Sequence, residues 1–426
     1  MTEVTIHLGG KMNHQPNQEP RGMTRRRFLA NSGYAALGVG AMPAFLAACS
    51  GTSEPEHQLE LRTQGIGTTV LDSVLAQFTA ETGIPATGTQ VGFGEMVPLW
   101  IQGGYQDQWD VMEAQGAQIA PLVEAGTLQP IKVADITHWD ALLEVFRVPG
   151  AAGQDGDGHP FTQVYTQEAR DSGALDEVWV VPTVWNGDSI GYRTDLVGGE
   201  LDSYAALWDP QFAGRVALFN SSLRAPMEVL ATFVGTGEYQ TEGTIGSPSR
   251  NDIDFAIDFL IERKRDGQFR LLWDDFGHAI EILDTGEVAL MNAWEPIVRE
   301  VAARGKPAVY GTIKEGYNMW FHGIALSADS PNYDAAVAYA NFWHEGFAPA
   351  EVANQGYMTP TPSVAQAALQ GADSPNAGVN AWDYWYNGGG RDRGSVDDIA
   401  SKAAWWWQFP AESEYLESRW QDFVAA

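Results

Sequence analysis

The side chains able to do covalent or metal chemistry are few, and their spacing suits neither. A single cysteine, Cys49, excludes an intrachain disulfide, a CxxC redox pair, an iron–sulfur cluster and a cysteine-rich zinc site together. Histidines stand at positions 7, 14, 57, 138, 159, 278, 322 and 344, with no HExxH and no pair at metal-ligand spacing. No G-x-S-x-G nucleophile elbow occurs, Gly65-Ile66-Gly67 lacks the third glycine of a phosphate loop, and Gly92-Phe93-Gly94 reads as a turn. We therefore expect no metal and no cofactor. Carboxylates are so plentiful that pairs of them mark nothing, which leaves a glycosidase open on spacing alone. Aromatic surface is the other abundant resource, with 16 Trp, 14 Tyr and 18 Phe, and ring faces suit stacking and the holding of cations.

Length and charge narrow the setting. At 426 residues, 44% of them hydrophobic, the chain has ample core for two domains. Its 55 acidic side chains against 25 basic ones give a formal charge of -30. Such a field repels phosphate backbones and anionic lipid headgroups, so no nucleic-acid partner is expected and a cationic one is favoured.

The first fifty residues read as an address. Thr24-Arg25-Arg26-Arg27-Phe28-Leu29 introduces a Gly/Ala-rich apolar stretch that ends in Leu46-Ala47-Ala48-Cys49. This resembles a twin-arginine export signal joined to a lipoprotein cleavage site. Gly33, Gly38, Gly40 and Pro43 interrupt the run and disfavour a transmembrane anchor. We expect a signal peptide over 1–48, a lipid on Cys49, a linker over 49–58, and a periplasmic or cell-surface protein held to the membrane by that lipid. Cleavage would remove five bases and two acids and leave 20 against 53, a more acidic mature chain.

Downstream the apolar pattern alternates between strand and helix. Leu59 to Thr63 reads as a strand, and Leu71, Val74, Leu75 and Phe78 fall on one helical face closed by Gly83 and Pro85. An extended stretch near 86–91, a helix over 96–102, a strand over 109–112 and a helix over 119–124 follow. Strands over 178–182 and 189–192 lead into a second run of the same kind: strand 215–219, helices 227–233 and 253–263, helix 279–283, strand 288–292 and helix 296–303. Residues 317–326 then read as a strand returning toward the first half. Alternation of this type predicts mostly parallel sheets flanked by helices, with ligands outside the carboxyl ends of the strands.

Several phrases occur in an order that resembles the extracytoplasmic solute-binding proteins of ABC importers, specifically the spermidine/putrescine-binding family. They are Gln77-Phe78-Thr79-Ala80-Glu81-Thr82-Gly83-Ile84, Val181-Pro182-Thr183-Val184-Trp185, Ile190-Gly191-Tyr192-Arg193-Thr194-Asp195-Leu196, Leu207-Trp208-Asp209-Pro210 with Gly214-Arg215-Val216, and Gly286-Glu287-Val288. The resemblance spans about residues 59 to 365. It implies an α/β, two-lobed periplasmic-binding-protein fold whose lobes are joined by crossing strands: lobe 1 over 59–190 and 318–354, lobe 2 over 191–317 and 355–426. It also implies a substrate-binding component rather than an enzyme, with a small cationic solute in the cleft and an ABC permease of the inner membrane as partner.

A polyamine site needs carboxylates for its ammonium groups and aromatic faces for its methylenes. The resemblance points to Trp185, Trp294, Trp320 and Tyr357 as rings; Glu295, directly after Trp294, and Asp188, three residues after Trp185, are the candidate acids, with His322 and Gln64 as further polar contacts. Where the family carries an aspartate two residues after the return-strand tryptophan, this chain has His322. Gln64-Gly65-Ile66-Gly67-Thr68 replaces a loop that commonly carries an aromatic ring and a carboxylate, and Arg224 falls where acids are usual. Arg224 with His322 would suit a carboxylate solute instead, and Trp walls with Asn186 and Gln64 a sugar. An exported hydrolase is the competing class. A ferric-ion site would want adjacent tyrosines, to which Tyr384 and Tyr386 come nearest. The tracts 382–386 and 405–407, rich in tryptophan, read as terminal-helix packing, a lid or a surface toward the permease.

Overall fold

The computed structural model describes residues 59–151, 158–372, 379–387 and 399–426. The export signal, Cys49 and the linker lie outside the described residues. Among the described residues no helix is long and apolar enough to cross a membrane.

Lobe 1 begins with β1 (Leu61–Gly65), β2 (Ala86–Gln90) and β3 (Val111–Gln115), β1 lying parallel to both of the others. Helix Asp72–Thr82 returns the chain from β1 to β2; it buries Val74, Leu75 and Phe78 and stops at Gly83, whose φ of 75° suits a residue without Cβ. Phe78 then meets Tyr339 and Phe342 edge-on, at 5.2 and 5.6 Å between ring centres. The short β4 (Leu128–Gln129) borders the sheet, while β5 (Ile131–Lys132) and β6 (Glu177–Val178) pair as a separate ribbon.

Two long strands join the lobes. β7 (Val181–Arg193) leads into lobe 2, where β8 (Val216–Phe219), β9 (Phe269–Trp273) and β10 (Leu290–Ala293) repeat the parallel arrangement, with β11 (Ala308–Tyr310) on the edge of β7. β12 (Tyr317–Ser327) returns, and β13 (Ala403–Trp406) adds to its first residues. The strand order is β2-β1-β3-β12-β7-β10-β8-β9. β12 runs antiparallel to β3, and β7 antiparallel to β10, so each parallel trio is edged by one crossing strand. This is the two-lobed α/β architecture the sequence implies.

Three differences from the sequence reading have local causes. β7 is one strand where two were expected: Asn186-Gly187 has turn composition, yet every residue of β7 is buried, and Asn186 keeps the strand satisfied by donating from Nδ2 to Gly356 O at 3.1 Å. A Cβ on Gly187 would lie 2.8 Å from Met319 Sδ, so the glycine permits the close approach of β12. β9 was not foreseen because it is a half-exposed edge strand without clean alternation. β13 was not foreseen either, its tryptophan run having no period.

Candidate functional site

A cavity of about 1450 Å³ lies where the carboxyl ends of the strands face the crossing strands. Thr68 follows β1, Gln115 ends β3, Asn220 and Ser221 follow β8, Asp274 follows β9, and Trp294 and Glu295 follow β10. β7 adds Asp188, and β12 adds Trp320 and His322. The placement follows from the topology, since strand ends in a parallel sheet present loops and helix N-termini to one side.

Six of the expected residues share this wall: Asp188, Trp294, Glu295, Trp320, His322 and Tyr357. Trp320 and His322 stand two apart on β12 and so point to one face. Trp320 meets His322 edge-on at 5.5 Å and Tyr357 at 5.3 Å, and donates from Nε1 to Asp188 Oδ1 at 2.8 Å. Trp294 lies near-parallel to Phe276 at 6.3 Å and edge-on to Trp273 at 5.1 Å. Glu295 opens helix Glu295–Ala303, where the N-terminal dipole favours a carboxylate, and it is 4% exposed. Burial raises the Tyr357 phenol well above its ordinary range despite a hydrogen bond with the Thr68 side chain, so it stays protonated.

Two expected residues are elsewhere. Trp185 is fully buried in the core, edge-on to Phe146 at 6.3 Å, with Nε1 donating to Thr359 O at 3.1 Å. It stands three residues before Asp188 on the same strand, an odd separation, and therefore points to the opposite face. Gln64 is also fully buried, inside β1, with neither amide atom paired; the cavity begins beyond the strand at Ile66.

Arg224 does not reach the cavity either, which removes both the repulsion of an amine and the carboxylate site expected of it. Its guanidinium is fully buried, donating to Asp188 Oδ2 at 3.0 Å, Glu228 Oε1 at 2.9 Å, Ser189 O at 2.9 Å and Ala293 O at 3.0 Å. Burial opposes its charge, and the two facing carboxylates more than restore it, holding the pKa above the usual arginine value. Asp188 thus spends one oxygen on Arg224 and the other on Trp320.

His322 is neutral. Burial lowers its imidazole to about 4, and Nδ1 lies 3.2 Å from Glu113 O, a group that only accepts. The proton is therefore on Nδ1, and Nε2 carries a lone pair. Behind it Glu113 is fully buried, accepting from Thr63 Oγ1 and Tyr339 OH at 2.9 Å each, and burial pushes its carboxyl up to about 8. These groups predict opposed pH limbs. His322 and His344, both lowered by burial from 6.5 to about 4, support the fold fully above pH 6.5 and progressively less as pH falls toward 4. Glu113, raised from 4.5 to about 8, supports it fully below pH 4.5 and loses that support as pH climbs toward 8. Urea titrations across this range are expected to show Glu113→Gln flattening the alkaline limb and sparing the acid one; an unchanged alkaline slope would mean another group governs it.

Sequence reasoning missed Gln115, Asn220, Ser221, Asp274 and Phe276, all at or just past strand ends, where the rule on parallel sheets already points. Trp407, in the tract read as packing, a lid or a permease surface, lines the cavity because β13 carries it alongside β12; its backbone N–H donates to Met319 O at 2.8 Å. Tyr384 lines the cavity too, whereas Trp405 and Trp406 are buried against the crossing strands. Among the described residues no cluster of His, Cys, Asp and Glu is arranged to hold a metal ion.

The family of bacterial extracellular solute-binding proteins matches residues 73–378, and the chain belongs to it. A putrescine-binding periplasmic protein of Pseudomonas aeruginosa is 20% identical over 316 residues, which take in 70% of this chain and 78% of that protein. A spermidine/putrescine ABC transporter substrate-binding protein from Streptococcus pneumoniae has the same fold, with a TM-score of 0.62 at 16% identity over 86% of this chain and 98% of its own. So does a binding protein of A. tumefaciens R10 solved with agropinic acid, with a TM-score of 0.52 at 16% identity over 86% and 99%.

Proposed function

We propose that the protein is the substrate-binding component of an ABC importer, capturing an amine of the polyamine type between its lobes and delivering it unchanged to a permease in the inner membrane. The observation that carries this is the cavity wall itself, where Trp294, Trp320 and Tyr357 stand with the carboxylates Asp188 and Glu295. Rings attract a cation at about 0.5 to 2 kcal/mol each, more when water is excluded. A carboxylate facing them supplies the counter-charge that a desolvated ammonium requires. Contacts from both lobes would favour the closed form, giving a permease a shape by which to tell loaded from empty protein. The names of the Pseudomonas and Streptococcus relatives support the same solute class. In this reading lipidated Cys49 tethers the protein after twin-arginine export, leaving the lobes free to meet the permease.

Calorimetric titration of the purified protein with putrescine, spermidine, amino acids and sugars tests it. Amines are expected to bind with one-to-one stoichiometry and to be recovered intact; binding of sugars alone would overturn the amine reading, and a chemically altered solute the transport reading. Glu295→Gln is expected to weaken amine binding by about thirtyfold, the cost of leaving a desolvated cation short of a charge partner, and to lower thermal stability as well, because the mostly buried Arg299 loses a carboxylate that supports its charge. An unchanged affinity would remove Glu295 from the site.

A further inference from the structure

Apart from Asp188 on the crossing strand, the polar groups that lobe 1 turns toward the cavity are neutral. Gln115 and His322 are register partners across β3 and β12, are 4% and 3% exposed, and both line the cavity. His322 presents the lone pair of Nε2, because Nδ1 is committed to Glu113 O. The Gln115 carboxamide has its Oε1 buried without a hydrogen-bond partner. The acid nearest in sequence, Glu113, turns its carboxyl away to Thr63 and Tyr339 and is absent from the wall. Asp188, on the crossing strand, holds Arg224 and Trp320 through its two oxygens. The other carboxylates on the wall, Asp274, Glu295 and Glu300, all come from lobe 2.

Lobe 2 also brings Arg299 and Arg304 to the wall, Arg304 bonding Glu300 at 3.0 Å, so that side is charged with acids in slight excess and the other is a neutral acceptor surface. Resting on the amine reading above, we infer that among such amines the site prefers one whose far end is a neutral hydroxyl or amide, with the ammonium toward Glu295 and the neutral end between His322 and Gln115. A terminal primary amide donates one N–H to His322 Nε2 and the other to Gln115 Oε1, while a hydroxyl donates to one of the two and accepts from the Gln115 amide N–H, and neither brings a charge to be desolvated. A second ammonium donates to the same acceptors, but its full charge would be desolvated there beside neutral groups. The length of the solute is set by the span between the two walls, and its charge by their asymmetry.

The test is calorimetric titration with 4-amino-1-butanol, 4-aminobutanamide and putrescine, which share one chain length and differ at one end. The amino alcohol or the amino amide is expected to bind about tenfold tighter than putrescine. His322→Asp, which puts a carboxylate on the neutral wall, is expected to reverse that order. Gln115→Leu is expected to weaken the amino amide about tenfold and putrescine by clearly less, which keeps the proposal testable if the aspartate variant does not fold. Putrescine binding as tightly as the neutral-ended amines, an order unaffected by His322→Asp, or equal losses for both ligands in Gln115→Leu would each overturn this inference and leave the amine reading standing. Silence toward every amine, with binding of a sugar, would overturn both.

Discussion

Trp320→Ala is expected to lower amine affinity about a hundredfold, the largest loss from any single ring on the cavity wall. Three effects add at this position. The ring face that a cation meets is lost, at about 0.5 to 2 kcal/mol. The edge-on contacts to Tyr357 at 5.3 Å and His322 at 5.5 Å vanish, so neither neighbour is held in place. Asp188 Oδ1 also loses the indole donor at 2.8 Å, and a buried carboxylate oxygen left short of a partner costs about 1 to 3 kcal/mol. Calorimetry reads the affinity directly and avoids the ambiguity of a fluorescence signal from many indoles. Trp139→Phe is the control: Trp139 is buried and donates to Tyr165 OH at 3.1 Å, but does not line the cavity. Its variant is expected to bind as the parent does. Equal losses in the two variants would mean that the cavity is not where the solute sits.

How much of this arrangement was legible in the sequence depends on the range of the physics involved. Helix Asp72–Thr82 and the strands around it are fixed by apolar periods a few residues long, and those periods are visible in one dimension. The return strand ending at Ser327 is equally clear, because most of its residues are apolar. Which face of a strand meets solvent or solute is a different question, set by pairing with residues far away in the chain. Trp185 and Asp188 cannot both face the cavity, and parity along the strand says so; only the register of Phe321 opposite Trp185 and of Trp320 opposite Asn186 decides which one does. Gln64 fails for a similar reason: β1 runs on to Gly65 and carries the amide inside the sheet before the chain opens at Ile66. The tryptophans of the last strand were unreadable because their partner, β12, lies more than eighty residues earlier.

Arg224→Met is expected to destabilise the fold by about 3 to 5 kcal/mol, because it removes the cation from a site that keeps its two anions. Asp188 and Glu228 would then face each other across a volume that water does not enter, each fully or almost fully buried. Glu228 can relieve the strain by holding its proton, a tendency burial already gives it against the pull of Arg224 and Asn292. Asp188 has less freedom, since Trp320 Nε1 donates to it and is best served by the charged form. The loss is therefore expected to be larger at pH 8 than at pH 5, where a proton on Glu228 is easier to keep. Adding Glu228→Gln to Arg224→Met should recover a substantial part of the stability at pH 8, and adding Asp188→Asn most of the rest, at the expense of solute binding through Trp320. Urea unfolding of the single, double and triple variants at the two pH values separates these contributions. If the single variant unfolds at the same urea concentration as the parent at both, the arginine is not what holds the crossing strand to lobe 2, and Asp188 must keep its place on the cavity wall by other means.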